Sequence, residues 1–260
     1  MSIINELFDL SGRVALVTGG SSGIGRGIAS SFAAAGAAVI HAALEAEENA
    51  LQEAVAQVEG SGAKAAYVTC DVSKLDTLPH AVKQASSFFG PPDILVNAAG
   101  VNLRESWDKV SEASWNKTIA INLTAPFFLA RLVIPAMQEK RWGKIVNIAS
   151  LQSRRAFPNS APYGASKGGV MQLTRAMAEA WSGNMSGITC NAIAPGFFRT
   201  GLTQPLYSDE KVIDALARQT IIGRNGEMED LSGLAIFLAS RASDYITGQT
   251  IFLDGGWSAK

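Results

Sequence analysis

Tyr163 and Lys167 stand four positions apart in the run Tyr163-Gly164-Ala165-Ser166-Lys167. On a helix that spacing puts two side chains on one face, about one turn apart. A free phenol ionises near pH ~10, so its phenolate is scarce at neutrality. A neighbouring ammonium favours the phenolate, and bringing the phenol to neutrality takes roughly 4 kcal/mol of differential stabilisation. The lysine charge, aided by a second positive charge on a bound ligand, could supply that much in a partly desolvated cleft. The pair would then be a general acid/base that moves a proton to or from an oxygen. An amphipathic surface pair has the same spacing, and the two residues alone do not separate these readings. The surrounding Gly164, Ala165, Ser166, Gly168 and Gly169 favour a site, because small residues let a ligand approach the backbone closely.

A second group of residues suggests what that ligand is. Thr18-Gly19-Gly20-Ser21-Ser22-Gly23-Ile24-Gly25 lies where an apolar strand meets a helix. Gly19, Gly23 and Gly25 permit positive φ and close backbone approach. The helix start adds free N–H groups and a partial positive charge. Together these make a cradle for a pyrophosphate. Tight turns also use glycine, so the weight comes from the placement inside a strand–turn–helix–strand unit.

The elements that must position these groups follow from periodicity. Apolar, β-branched runs predict strands at 13–18, 38–42, 65–69, 94–97, 144–149, 188–193 and 249–253. Helical spacing predicts helices at 28–35 (stopped by Gly36), 46–59, 75–89, two within 111–138, 161–181 and 227–239. Strands alternating with crossover helices require a parallel sheet covered on both faces. The fold class is therefore α/β, a doubly wound Rossmann-type sheet of about seven strands, as one domain over 1–260. Residues 197–226 are less regular and more polar, which suits a substrate loop or lid.

The spacing Gly-x-x-x-Gly-x-Gly at 19–25 resembles the cofactor loop of the short-chain dehydrogenase/reductase family, and further motifs agree in order along residues 7–256. Asp71-Val72 follows the third strand, where the family's Asp contacts adenine. Asn97-Ala98-Ala99-Gly100 follows the fourth and is similar to the family's NNAG motif, with Val96 in place of the first Asn. Tyr163 and Lys167 match its YxxxK signature, and Asn191 to Gly196 match its NxxxPG turn beside the nicotinamide. The resemblance implies hydride transfer between NAD(P) and a secondary alcohol or ketone. It implies cofactor contacts from Gly19, Ser22, Gly23, Ile24, Gly25, Asp71, Val72, Asn97, Ala98, Ala99, Gly100, Tyr163, Lys167, Pro195, Gly196 and Thr200. Ser150, thirteen residues before Tyr163, matches the family's catalytic serine, with Ser153 as the competing choice. Asn122 matches the asparagine that sustains a proton-relay water near the lysine; otherwise it makes a local backbone bond.

The end of the second strand usually decides between NAD and NADP. The stretch is His41-Ala42-Ala43-Leu44-Glu45, so neither an Asp at 43 nor an Arg at 44 is present. A missing carboxylate removes the barrier to a 2′-phosphate, which leans towards NADP with dual use open; a ribose contact from Glu45 would reverse this. For the substrate, strand-end loops offer Asn102, Arg104, Gln152, Arg154, Arg155 and Arg199. Arginines at a cleft suit an anionic or hydroxylated substrate, and Arg104 and Gln152 are the expected contacts beside Ser150 and Tyr163. Within the family the chain is similar to gluconate 5-dehydrogenases and other sugar-acid or polyol dehydrogenases. 3-Oxoacyl-carrier-protein reductases share the same core motifs.

Two other classes remain open at this point. A non-catalytic nucleotide-binding protein could share the fold, although such proteins commonly lose the Tyr or Lys. A hydrolase using Ser150 lacks a nucleophile elbow and a plausible His base. A formal net charge of −1 gives no reason to expect a nucleic-acid or membrane-surface partner. The N-terminal residues do not read as a signal peptide, and no uninterrupted apolar run reaches the ~18 residues of a membrane span. With Cys70 and Cys190 in strand-like contexts and only two His, buried free thiols and no metal site are expected. The expectation is a cytoplasmic protein, a homotetramer by resemblance, with 124–137 and 249–257 as candidate interfaces.

Overall fold

The computed structural model describes residues 2–204 and 209–260. Seven parallel strands form one sheet in the order β3-β2-β1-β4-β5-β6-β7. They are β1 (Val14–Thr18), β2 (Ala38–Ala43), β3 (Ala65–Thr69), β4 (Ile94–Asn97), β5 (Gly143–Ile148), β6 (Ile188–Pro195) and β7 (Thr250–Leu253). The strand order reverses between β1 and β4, and a crevice opens there at the strands' C-terminal ends.

Around the sheet run α1 (Ile3–Phe8), α2 (Gly23–Ala34), α3 (Glu48–Glu59), α4 (Leu78–Phe89), α5 (Glu112–Ile119), α6 (Ala125–Lys140), α7 (Ala161–Trp181), α8 (Glu210–Gln219) and α9 (Met228–Ala239). Strand side chains alternate between the sheet's two faces. Leu16, Leu95 and Ile145 join a core with α4, α6 and α7, while Val17, Val96 and Val146 join a core with α2 and α9. Each sheet face is thus sealed by helices, which is what nearly continuous apolar strands require.

The structure refines several boundaries. α2 begins at Gly23, five residues before the periodic pattern becomes visible, because its first turn is built from the glycines of the loop. Gly36 ends the helix at φ 100°, as expected of a left-handed C-cap. Residues 111–138 form α5 and α6 joined by a π-helical turn, Ala120–Thr124, which the pattern does not reveal. The segment 197–226 contains α8, whose residues are all at least partly exposed, and residues 205–208 of the expected lid lie outside the described residues. The run Glu112–Lys140 is long and apolar enough to cross a membrane by length and composition alone. Here Leu129, Ala130, Val133, Ile134 and Met137 from that run are core residues under the sheet.

A buried polar chain ties β4, β5 and α7 together. Asn97 and Asn147 are direct partners in the sheet register, and Asn97 Nδ2 donates to Asn147 Oδ1 at 2.8 Å. Asn147 Nδ2 donates in turn to Thr174 Oγ1 at 3.0 Å.

Candidate active site

The glycine loop and the ends of β1, β4, β5 and β6 bound a cleft of about 370 Å³. Two of its glycines are sterically obligatory. A Cβ on Gly25 would lie 2.2 Å from the Gly19 carbonyl oxygen, and one on Gly19, at φ 65°, would lie 2.9 Å from the Ala99 nitrogen. The Ser22 side chain makes no capping bond at the start of α2, so the first-turn amides stay available to an anion. Thr18 Oγ1 accepts from the Ala98 and Ala99 amides at 3.1 and 3.2 Å, fastening the loop after β4 to the end of β1. This cradle, filled by any added Cβ and floored by helix amides, fits a dinucleotide pyrophosphate.

At the other end of the cleft stand Ser150, Tyr163 and Lys167, all buried to within 9% of full enclosure. α7 carries Tyr163 and Lys167 one turn apart, with Pro162 tolerated in its first turn. Lys167 Nζ donates to the Ile148 carbonyl at 2.6 Å and lies 5.7 Å from the Tyr163 ring centre. Ser150 follows β5, where its hydroxyl accepts from the Gln152 amide at 3.1 Å, and it lines the cleft together with the Tyr163 phenol. Ser153, the competing serine, is committed elsewhere: it donates to the Lys167 carbonyl at 2.7 Å and accepts from the Ser150 amide at 3.2 Å.

Asn122 sits in the π-helical turn, a feature common at functional sites. Its side chain accepts from the Val101 amide at 2.9 Å and donates to the Val101 carbonyl at 2.9 Å and to Ser166 Oγ at 3.0 Å. This is no local backbone bond: it clamps the loop after β4, which lines the cleft, onto α7.

Comparison with known proteins agrees with this geometry. Residues 19–258 match the family model described as enoyl-(acyl carrier protein) reductase. The chain is 41% identical to gluconate 5-dehydrogenase of Gluconobacter oxydans (strain 621H), covering 96% of each. It is 40% identical to 2-dehydro-3-deoxy-D-gluconate 5-dehydrogenase of Bacillus subtilis (strain 168), over the whole of both chains. A solved gluconate 5-dehydrogenase from Burkholderia cenocepacia J2315, in complex with NADP and tartrate, superposes with TM-score 0.92 at 38% identity, covering 99% of each chain. The chain belongs to the short-chain dehydrogenase/reductase family. It is an NAD(P)-dependent oxidoreductase acting on CH–OH or C=O groups.

The electrostatics of this dehydrogenase differ from the sequence expectation. Burial pushes the Tyr163 phenol up from its ordinary value, against the opposing effects of the Ser150 hydroxyl and the Arg104 charge. Burial also pulls Lys167 down to about 8. The chain alone therefore holds the phenol protonated instead of bringing it to neutrality, because desolvation of the anion outweighs the nearby cations.

Most of the expected cofactor residues line the dehydrogenase's cleft: Gly19, Ser22, Gly23, Ile24 and Gly25, then Asp71 and Val72, Ala98 to Gly100, and Pro195, Gly196 and Thr200. Asn97 does not; its side chain is spent on Asn147 and the Pro126 carbonyl. Gln152 lines an adjoining pocket with Trp107 and Arg154 rather than the cleft. Arg104 stands near enough to Tyr163 for its charge to act on the phenol, and it donates to the Leu202 carbonyl at 3.4 Å. Sequence reasoning overlooked Ser21, Glu47, Val101, Ile148 and Phe198 in the cleft wall. Only Glu47 and Ser21 carried a readable signal, as polar residues near the glycine loop and the second strand's end. The cysteines are free and buried, with Cys70 pushed up to about 11 and Cys190 to about 12. Among the described residues no cluster could hold a metal.

Proposed function

We propose that the chain interconverts a secondary alcohol and a ketone on a sugar acid, as a gluconate 5-dehydrogenase-like enzyme. The observation that carries this reading is Arg104. It carries a positive charge that acts on the Tyr163 phenol, its Nε is buried without a partner, and its backbone is held at φ 53°. A non-glycine residue in that conformation costs about 1–2 kcal/mol, a strain that fits a residue kept for a ligand. A guanidinium there would take a substrate carboxylate in a charge-assisted bond. The sugar-acid names of the relatives point the same way.

The residues that would hold the dinucleotide are the glycine loop, Asp71 and Val72, Ala98 to Gly100, and Pro195, Gly196 and Thr200. When bound, NAD(P) supplies or accepts the hydride. In the reducing direction Tyr163, held neutral by burial, gives its proton to the substrate oxygen. Ser150 hydrogen-bonds the same oxygen and keeps it against the phenol. Lys167, anchored on the Ile148 carbonyl, offsets the phenolate charge left behind. Asn122 holds Val101, and with it one wall of the cleft. NADP use is supported by the NADP-bound relative and by the absence of a carboxylate at 43 and 44. Residues 197–226 serve as the substrate loop, and the enzyme works as a cytoplasmic homotetramer.

Gluconate, 2-dehydro-3-deoxygluconate, a neutral hexitol and a 3-oxoacyl thioester, each assayed with NAD and NADP, test the reading. A charge-assisted bond of about 1.5–3 kcal/mol predicts kcat/KM for a sugar acid roughly 10–150-fold above the neutral hexitol. Arg104→Gln should erase that gap. The matching family model's description favours the acyl thioester as the second reading. Preference for it, with no gain from a sugar carboxylate, would sink the first.

A further inference from the structure

Between the glycine loop and the end of β2 the cleft wall carries a carboxylate outside every motif above. Glu47 closes the short 3-10 turn Glu45–Glu47 that leads into α3, and it lines the cleft. The hydroxyl of Ser21, itself 2% exposed and part of the glycine loop, donates to Glu47 Oε2. Glu45, the residue singled out by position, is exposed and does not line the cleft. The other walls here are Ala43, Leu44 and Asp71. Among the described residues lining the cleft the one cation is Lys167, at the opposite end. Arg26 on α2 is engaged by Gln57 at 2.8 Å and faces Glu53 at 3.9 Å.

This corner lies in the same cleft as the glycine loop and the Asp71-Val72 wall, and a dinucleotide with its pyrophosphate in that loop and its adenine against that wall would bring its adenosine ribose here. We propose that Glu47, oriented by Ser21, is the residue with which this chain discriminates between NAD and NADP. Its carboxylate accepts from the ribose hydroxyls and opposes a 2′-phosphate that no cation in the corner offsets. Alanine at 43 and leucine at 44 leave NADP sterically admissible; Glu47 taxes it electrostatically. The inference rests on the dehydrogenase reading, but it concerns binding and needs no turnover.

Isothermal titration of NAD and NADP into the substrate-free protein, wild type against Glu47→Gln, tests it. The amide keeps the size and an acceptor for Ser21, so only the charge is lost. Glu47→Gln should tighten NADP relative to NAD by about tenfold or more. Raising the salt should narrow the wild-type ratio and leave that of the variant nearly unchanged. Ser21→Ala, which frees the carboxylate without removing it, should move the ratio part of the way. A ratio within about twofold of wild type in Glu47→Gln, with both dinucleotides still bound, would reduce Glu47 to a tie between turn and loop and overturn the proposal. Failure of the wild type to bind either dinucleotide would overturn the dehydrogenase reading as well.

Discussion

Replacing Asn122 by leucine separates two roles for that residue. If it serves only a relay water, the substitution lowers turnover and spares stability and nucleotide affinity. The observed contacts predict otherwise. The amide makes three hydrogen bonds of 2.9, 2.9 and 3.0 Å, two to Val101 and one to Ser166, at a position 1% exposed. Leucine leaves the Val101 N–H and C=O without partners, at about 1–3 kcal/mol for each group that stays buried. Val101 is only partly buried, so water recovers some of that, and a net loss of about 2 kcal/mol is expected. For a domain of this size that lowers Tm by roughly 4–8 °C. Because Val101 and Gly100 line the cleft, the loosened loop should also weaken dinucleotide binding about tenfold. Calorimetry and dinucleotide titration read both effects. An Asn122→Leu protein with unchanged Tm and unchanged affinity, yet slow turnover, would refute the clamp.

Tyr163→Phe should cut kcat by about 10²–10⁴ while dinucleotide titration shows binding retained, since the ring and its packing survive. Gly25→Ala should abolish dinucleotide binding in the same titration, because the new methyl meets the Gly19 carbonyl at 2.2 Å and the loop must open. Lys167 loses its proton near 8 in the folded chain and near 10.5 when unfolded, so between those values the unfolded chain holds the extra proton and alkali favours folding. Thermal melts from pH 8 to 10 should therefore show wild type gaining stability relative to Lys167→Met, and a difference that stays flat over that range would refute the burial of the amine.

What could be read from sequence divides along physical lines. The strands were legible because a parallel sheet buried on both faces demands unbroken apolar runs, and Val14–Thr18 or Ile94–Asn97 have little else to be. The candidate acid/base group was legible as a group because such chemistry would fix residue type and spacing, and Ser150, Tyr163 and Lys167 do line one cleft. The start of α2 was not, since glycines at 23, 25 and 27 score poorly as helix formers and are held helical by the cradle and the packing around it. Nor was the π-helical turn under Asn122, because one wide turn between two helices has no residue-type signature of its own. Asn97 shows the limit of motif reading: its neighbours Ala98 to Gly100 line the cleft, while its own amide faces the protein. Charge at the site was misjudged for a related reason, because spacing reports which groups are near Tyr163 but not how dry they are.

The Asn97–Asn147 pair has a consequence for how the chain finds its register. β4 and β5 are brought together only after the long crossover through α5 and α6, and apolar strands tolerate sliding because neighbouring aliphatic positions are nearly interchangeable. Two amides directly opposite each other, with Thr174 as third partner, are not interchangeable with anything around them. A slip by one residue would turn an amide to the wrong face and strand its partner, at about 1–3 kcal/mol for each unpaired group. The pair thus penalises a shifted central seam that aliphatic side chains alone would tolerate, and Asn97→Val with Asn147→Val should lower the yield of native protein on refolding from denaturant, read by the recovery of dinucleotide binding.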